Sequence, residues 1–96
     1  GIHGGRDETS VFMFLRPDLV NLSRAERRVP EHLAKNKHVK FGGSVSFGWL
    51  SNDFHEDGYM GDPTGASPEL GEKLFSAAVE SLCEALSEIK SFKFRE

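Results

Sequence analysis

Apolar positions along the 96-residue chain fall into three blocks separated by polar, turn-rich stretches. The last block has the clearest period. Phe75, Val79, Leu82, Leu86 and Ile89 recur at spacings of four and three, which places them on one stripe of a helix. Glu72, Lys73, Glu80, Glu84 and Glu88 mark its other side. Ser67 before Pro68 supplies a start: the hydroxyl can accept from a free N–H of the first turn, and the proline stands where a missing N–H costs nothing. The pattern predicts an amphipathic helix from Ser67 to about Ile89, its stripe packed on another element and its charged side in water. Cys83 flanks the stripe as inert packing.

The first block, Val11 to Leu15, is apolar all round, and Asp7 or Thr9 can cap it. It reads as a short helix buried on most sides, with a buried strand as the competing reading because so short a run has no decisive period. Pro17 stops either element, and Leu19, Val20 and Leu22 are expected to point inward. From Ser23 to Lys40 the chain is charged, carries Pro30, and reads as a surface excursion. The middle block, "FGGSVSFGWL", alternates large and small residues as a strand does, with Phe41, Val45, Phe47 and Trp49 on one face. "SNDFHEDGYMGDPTGAS" then reads as a long loop of successive turns, a length usually kept for function or assembly.

Composition narrows the class. Hydrophobic content of 38% and charged content of 28% fit a folded domain rather than a disordered chain. A net charge of -3 argues against a nucleic-acid partner, and Arg24, Arg27 and Arg28 alternate with Glu26 as a solvated face. One cysteine excludes an internal disulfide and fits a cytoplasmic location. No apolar run reaches the roughly 20 residues of a membrane span, so no membrane partner is expected.

The chemical inventory centres on the first residues. His3 precedes two glycines that allow close backbone approach to a ligand, and Asp7 and Glu8 lie nearby; such a histidine can move a proton near neutral pH. A frayed terminal histidine is the competing reading. Glu8 suits a helix start, as a capping charge or as a group that orients the histidine. Ser10 has no base fixed beside it, so it is not read as a nucleophile. His32 and His38 lack partners at ligand spacing. His55, Glu56 and Asp57 resemble a metal cluster in composition only, since loop neighbours rarely converge. "GDPTGAS" lacks the lysine of a phosphate-binding loop.

The run "HGGRDETSVFMFLRPDLVNLSRA" resembles the C-terminal signature of the creatininase family of amidohydrolases: a histidine, a small residue, glycine, two further positions, Glu-Thr-Ser, an apolar helix and an "RPDLV"-like end. Those positions are His3, Gly4, Gly5, Glu8, Thr9, Ser10 and Arg16 to Val20. "GDPTGASPELGEKL" is similar to the family's Gly-Asp-Pro-Thr turn and last helix. The resemblance implies an α/β fold class: the C-terminal part of a sandwich with a mixed, largely parallel sheet flanked by helices. Residues 1–96 would form the C-terminal segment of one such domain, its N-terminal half lying outside the chain. It also implies a dinuclear centre of divalent metal ions (Zn, Mn or Fe) whose water attacks an amide carbon, with Glu, His and Asp ligands from that other half and none from this segment.

For this chain's own residues the resemblance implies a catalytic His3, as proton donor to the leaving nitrogen or as oxyanion partner, with Gly4, Gly5 and Glu8 supporting it or touching substrate. It further implies a small-molecule amide substrate and a ring-like homo-oligomer, commonly a hexamer. Creatininase itself has glutamate before the histidine; Ile2 stands there here, which argues against creatinine as substrate. Arg6 and "GDPTGA" are similar to the mycofactocin-type peptidase branch. The alternative from another class is a metal-free assembly module that uses "FGGSVSFGWL" and the long loop for subunit association.

Overall fold

The computed structural model describes residues 1–96 and contains two α-helices joined by a long connection. The first, α1, spans Arg6–Leu15, and the second, α2, spans Pro68–Ser91. Between them lie three short 3-10 segments, Pro17–Leu19, Leu22–Arg24 and Glu31–Lys35.

The apolar first block is therefore a helix and not a strand, but its start differs from expectation. Neither Asp7 nor Thr9 caps it; Gly5 is the N-cap, without a side-chain bond, and Asp7 and Glu8 occupy the first turn, where carboxylates suit the helix dipole. By contrast α2 begins as its sequence dictates. Ser67 Oγ accepts from Leu70 N at 3.1 Å and Pro68 fills the first helical position.

The helices cross where their residues are small. Gly71 is buried against Ser10, and a Cβ built on Gly71 would lie 1.8 Å from the Ser10 carbonyl oxygen. Ser10, with no exposed surface, donates to Arg6 O at 2.6 Å and accepts from Ser67 N at 3.0 Å. Phe14 and Phe75 extend the contact, ring centroids 5.8 Å apart. Beyond this crossing α2 runs free, and Phe75, Val79, Leu82, Leu86 and Ile89 are 38 to 68% exposed. The expectation that this stripe packs on another element is met within the chain only at Phe75, against Phe14 of α1. Nor is α1 buried on most sides: Phe12, Phe14 and Leu15 are exposed, as is Leu19, while Val20 and Leu22 are half-buried.

The strand expected over "FGGSVSFGWL" is absent too. Gly42 takes a left-handed φ of 76° and Gly43 N donates to Lys40 O at 3.0 Å, so the stretch turns on itself. Its aromatics cluster locally: Phe41 lies 5.9 Å from Phe47, 5.4 Å from Trp49 and 5.4 Å from Phe54. Val45, assigned to the same face, stays exposed. A strand needs a neighbour to accept its ladder bonds, and residues 1–96 form no sheet. Their one β contact is an isolated antiparallel bridge between His3 and Met60. Seven residues are buried, and the radius of gyration is 17.5 Å, against about 13 Å for a compact chain of this length. The core is a seam where the first residues, α1 and the Met60 to Gly71 segment meet.

Candidate active-site loop

Residues 1–5 form a loop that leads into α1 and is held from both sides. His3 N donates to Met60 O at 3.4 Å and Met60 N to His3 O at 3.1 Å, and Met60 is 1% exposed beneath them. Gly4 follows at φ +71°, a conformation side chains rarely adopt, and its N–H donates to Glu8 Oε2 at 2.7 Å. A Cβ on Gly4 would come within 3.0 Å of Tyr59 Cβ. The Tyr59 hydroxyl donates to Glu26 O at 2.6 Å, which ties the underside of the loop to the 22–28 segment. Gly5 is buried, and a Cβ on Gly61 would lie 2.8 Å from its Cα.

His3 is exposed and its imidazole has no hydrogen-bond partner in the chain. Two open clefts adjoin the loop, and His3 lines neither. Ile2, Gly5 and Arg6 line the larger, of about 1040 Å³, opposite Lys40, Phe41 and Asp62. Gly4 lines the smaller, of about 310 Å³, with Tyr59, Val20 and Leu22. The structure thus brings together His3, Gly4 and Gly5 of the loop and Glu8 of the first turn of α1, with Glu8 bonded to the backbone next to His3 rather than to the imidazole.

Asp62 closes a turn on the larger cleft. Its Oδ1 accepts from Thr64 Oγ1 at 2.5 Å and Thr64 N at 3.0 Å, and Arg27 Nε lies 3.7 Å from its Oδ2. The Thr64 hydroxyl, then its N–H, then the Arg27 charge hold the Asp62 carboxyl below the usual carboxylate range. Across the connection, Arg28 pairs with Glu26 and, at 3.2 Å, with Asp57.

Sequence reasoning missed Tyr59 and Met60 as supports of the loop, and Gly71 as the crossing point. Gly71 lies four residues before Phe75 and stands on the stripe side, a glycine where a large apolar residue would otherwise recur. The Ser10 hydroxyl links α1 to the start of α2.

Residues 1–86 match the creatininase family, described as creatinine amidohydrolase. The chain belongs to the creatininase family. Among solved structures, this creatininase-family chain is similar to a protein of Bacteroides fragilis NCTC 9343 described as a creatinine amidohydrolase, with a TM-score of 0.62 and 27% sequence identity. The match covers 96% of this chain and 36% of that one, so the chain spans about a third of the relative's length. No curated protein matches it in sequence.

Creatininase-family proteins typically bind a divalent metal. Residues 1–96 do not fit one, because no three His, Cys, Asp or Glu side chains converge. In the stretch closest to a cluster by composition, His55 Nδ1 already accepts from Asp57 N at 3.0 Å and stands 3.5 Å from Asp57 Oδ2. No helix is long and apolar enough to cross a membrane.

Proposed function

We propose that residues 1–96 are the C-terminal segment of a creatininase-like domain that hydrolyses an amide C–N bond in a small cyclic or linear substrate. The family match over residues 1–86 supports the class. The observation that carries the role of this segment is the loop geometry: Glu8 holds Gly4 N–H at 2.7 Å and Met60 brackets His3, leaving the imidazole free of protein partners. A histidine so presented can pass a proton to a leaving nitrogen. Gly4 and Gly5, without side chains, leave the backbone open to substrate.

In this reading the divalent ions (Zn, Mn or Fe) and the sheet of the sandwich belong to residues outside the segment, and the whole assembles as a cytoplasmic homo-oligomer. The test is the complete hydrolase assayed on a panel of cyclic and linear amides, with its metal content measured. His3→Ala should lower turnover by about a hundredfold or more with metal content unchanged. Unchanged turnover removes His3 from the site. A complete protein that binds no divalent metal would favour the metal-free assembly module built on "FGGSVSFGWL" and the long loop.

A further inference from the structure

Residues 59–61 are held on two sides at once. On one side they meet the His3 loop residue by residue: Tyr59 lies against Gly4, Met60 is bonded to His3 through both backbone groups, and Gly61 lies against Gly5, where a Cβ on Gly61 would stand 2.9 Å from Gly5 N. On the other side they meet residues 26–28. The Tyr59 hydroxyl donates to Glu26 O at 2.6 Å, Arg28 N donates to Gly61 O at 2.8 Å, and the Arg28 guanidinium pairs with both Glu26 and Asp57.

No hydrogen bond or ion pair joins residues 26–28 to residues 1–5 directly, so any support the first gives the second passes through residues 59–61. The two bonds between His3 and Met60 form an isolated bridge, which has no ladder neighbours to stop it pivoting. Tyr59 supplies the missing restraint with one rigid side chain, its base against Gly4 and its hydroxyl on Glu26. These contacts lie within the chain and hold whatever covers its outer faces.

We propose that Tyr59 is a positioning residue for His3: it braces the loop against residues 26–28 and fixes the backbone from which the imidazole stands. The kinetic part rests on the hydrolase reading; the brace itself does not. The test uses the complete protein with Tyr59→Phe, which keeps the ring and drops the hydroxyl bond, and Tyr59→Ala, which drops both. Hydrogen–deuterium exchange, read by mass spectrometry on peptides covering His3 and Met60, should quicken about fivefold in Tyr59→Phe and further in Tyr59→Ala. Turnover should fall about tenfold in Tyr59→Phe with KM and metal content unchanged, because a misplacement of about 1 Å can cost about a hundredfold. In a His3→Ala background Tyr59→Phe should cost nothing further, a non-additivity that general loosening of the protein does not produce.

Exchange at His3 and Met60 that ignores both Tyr59 variants overturns the proposal. Turnover that stays unchanged, a loss that appears in KM instead, or a loss that adds to that of His3→Ala overturns the positioning role. A wild-type protein that binds no metal and cleaves no amide removes the hydrolase reading alone, and exchange then decides whether the brace exists.

Discussion

Ser10 and Ser67, far apart in sequence, share one hydrogen bond: the Ser10 hydroxyl accepts from Ser67 N at 3.0 Å while donating to Arg6 O. Ser67 is itself the cap of α2. One buried hydroxyl thus fixes where the second helix starts relative to the first. Ser10→Ala leaves the part-buried Ser67 N–H without its protein partner. The expected loss is about 1–3 kcal/mol of unfolding free energy by urea titration. A loss near zero would mean that water or a shifted backbone replaces the hydroxyl.

Gly71→Ala separates helix propensity from packing. In a free helix the change would stabilise by up to about 1 kcal/mol. Here the added Cβ would lie 1.8 Å from Ser10 O and 3.0 Å from Phe14 Cβ, so the helices must part. The expected net effect is destabilisation of about 1–3 kcal/mol, by the same titration. A more stable variant would show that α1 and α2 do not cross at this residue.

How far these contacts are legible in sequence follows from their range. Ser67-Pro68 and the spacing from Phe75 to Ile89 are local signals, and α2 follows them. Val11 to Leu15 carries no period because every residue is apolar, and the helix there is settled by its contact with Gly71, some 60 residues on. "FGGSVSFGWL" alternates like a strand, but alternation does not provide a neighbouring strand, and Gly42 turns the chain into an aromatic cluster instead. In the candidate site, His3, Gly4, Gly5 and Glu8 are adjacent enough to be read as one loop. Tyr59 and Met60 are not, since only the folded chain brings them under it.

Asp62 gives a pH prediction with a definite sign. Its carboxyl is held below the ordinary value of 3.8, chiefly by the Thr64 hydroxyl. A lowered folded value means that the unfolded chain takes up the proton first as pH falls. The stabilisation is complete above the ordinary carboxylate range and is lost between that range and the lower folded value. Asp62→Asn should therefore flatten the acid limb of a melting-temperature profile below about pH 4 and leave its shape near neutrality unchanged. An unaltered acid limb would show that the Asp62–Thr64 turn does not contribute.

Glu8 bonds to the backbone beside His3. Its carboxylate reaches back one turn to Gly4 N and not to the imidazole, so its effect on His3 passes through the backbone: it holds the left-handed Gly4 in place. Glu8→Gln keeps an oxygen that can accept this bond, whereas Glu8→Ala keeps none. Amide exchange at Gly4 should therefore quicken about tenfold or more in the alanine variant, the equivalent of about 1.4 kcal/mol, and much less in the glutamine variant. Under the proposed function, the same order should appear in turnover of the longer protein, with Glu8→Ala slower than Glu8→Gln and both faster than His3→Ala, at constant metal content. Were Glu8→Gln as damaging as Glu8→Ala, the negative charge itself, and not the bond to Gly4, would be what the loop requires.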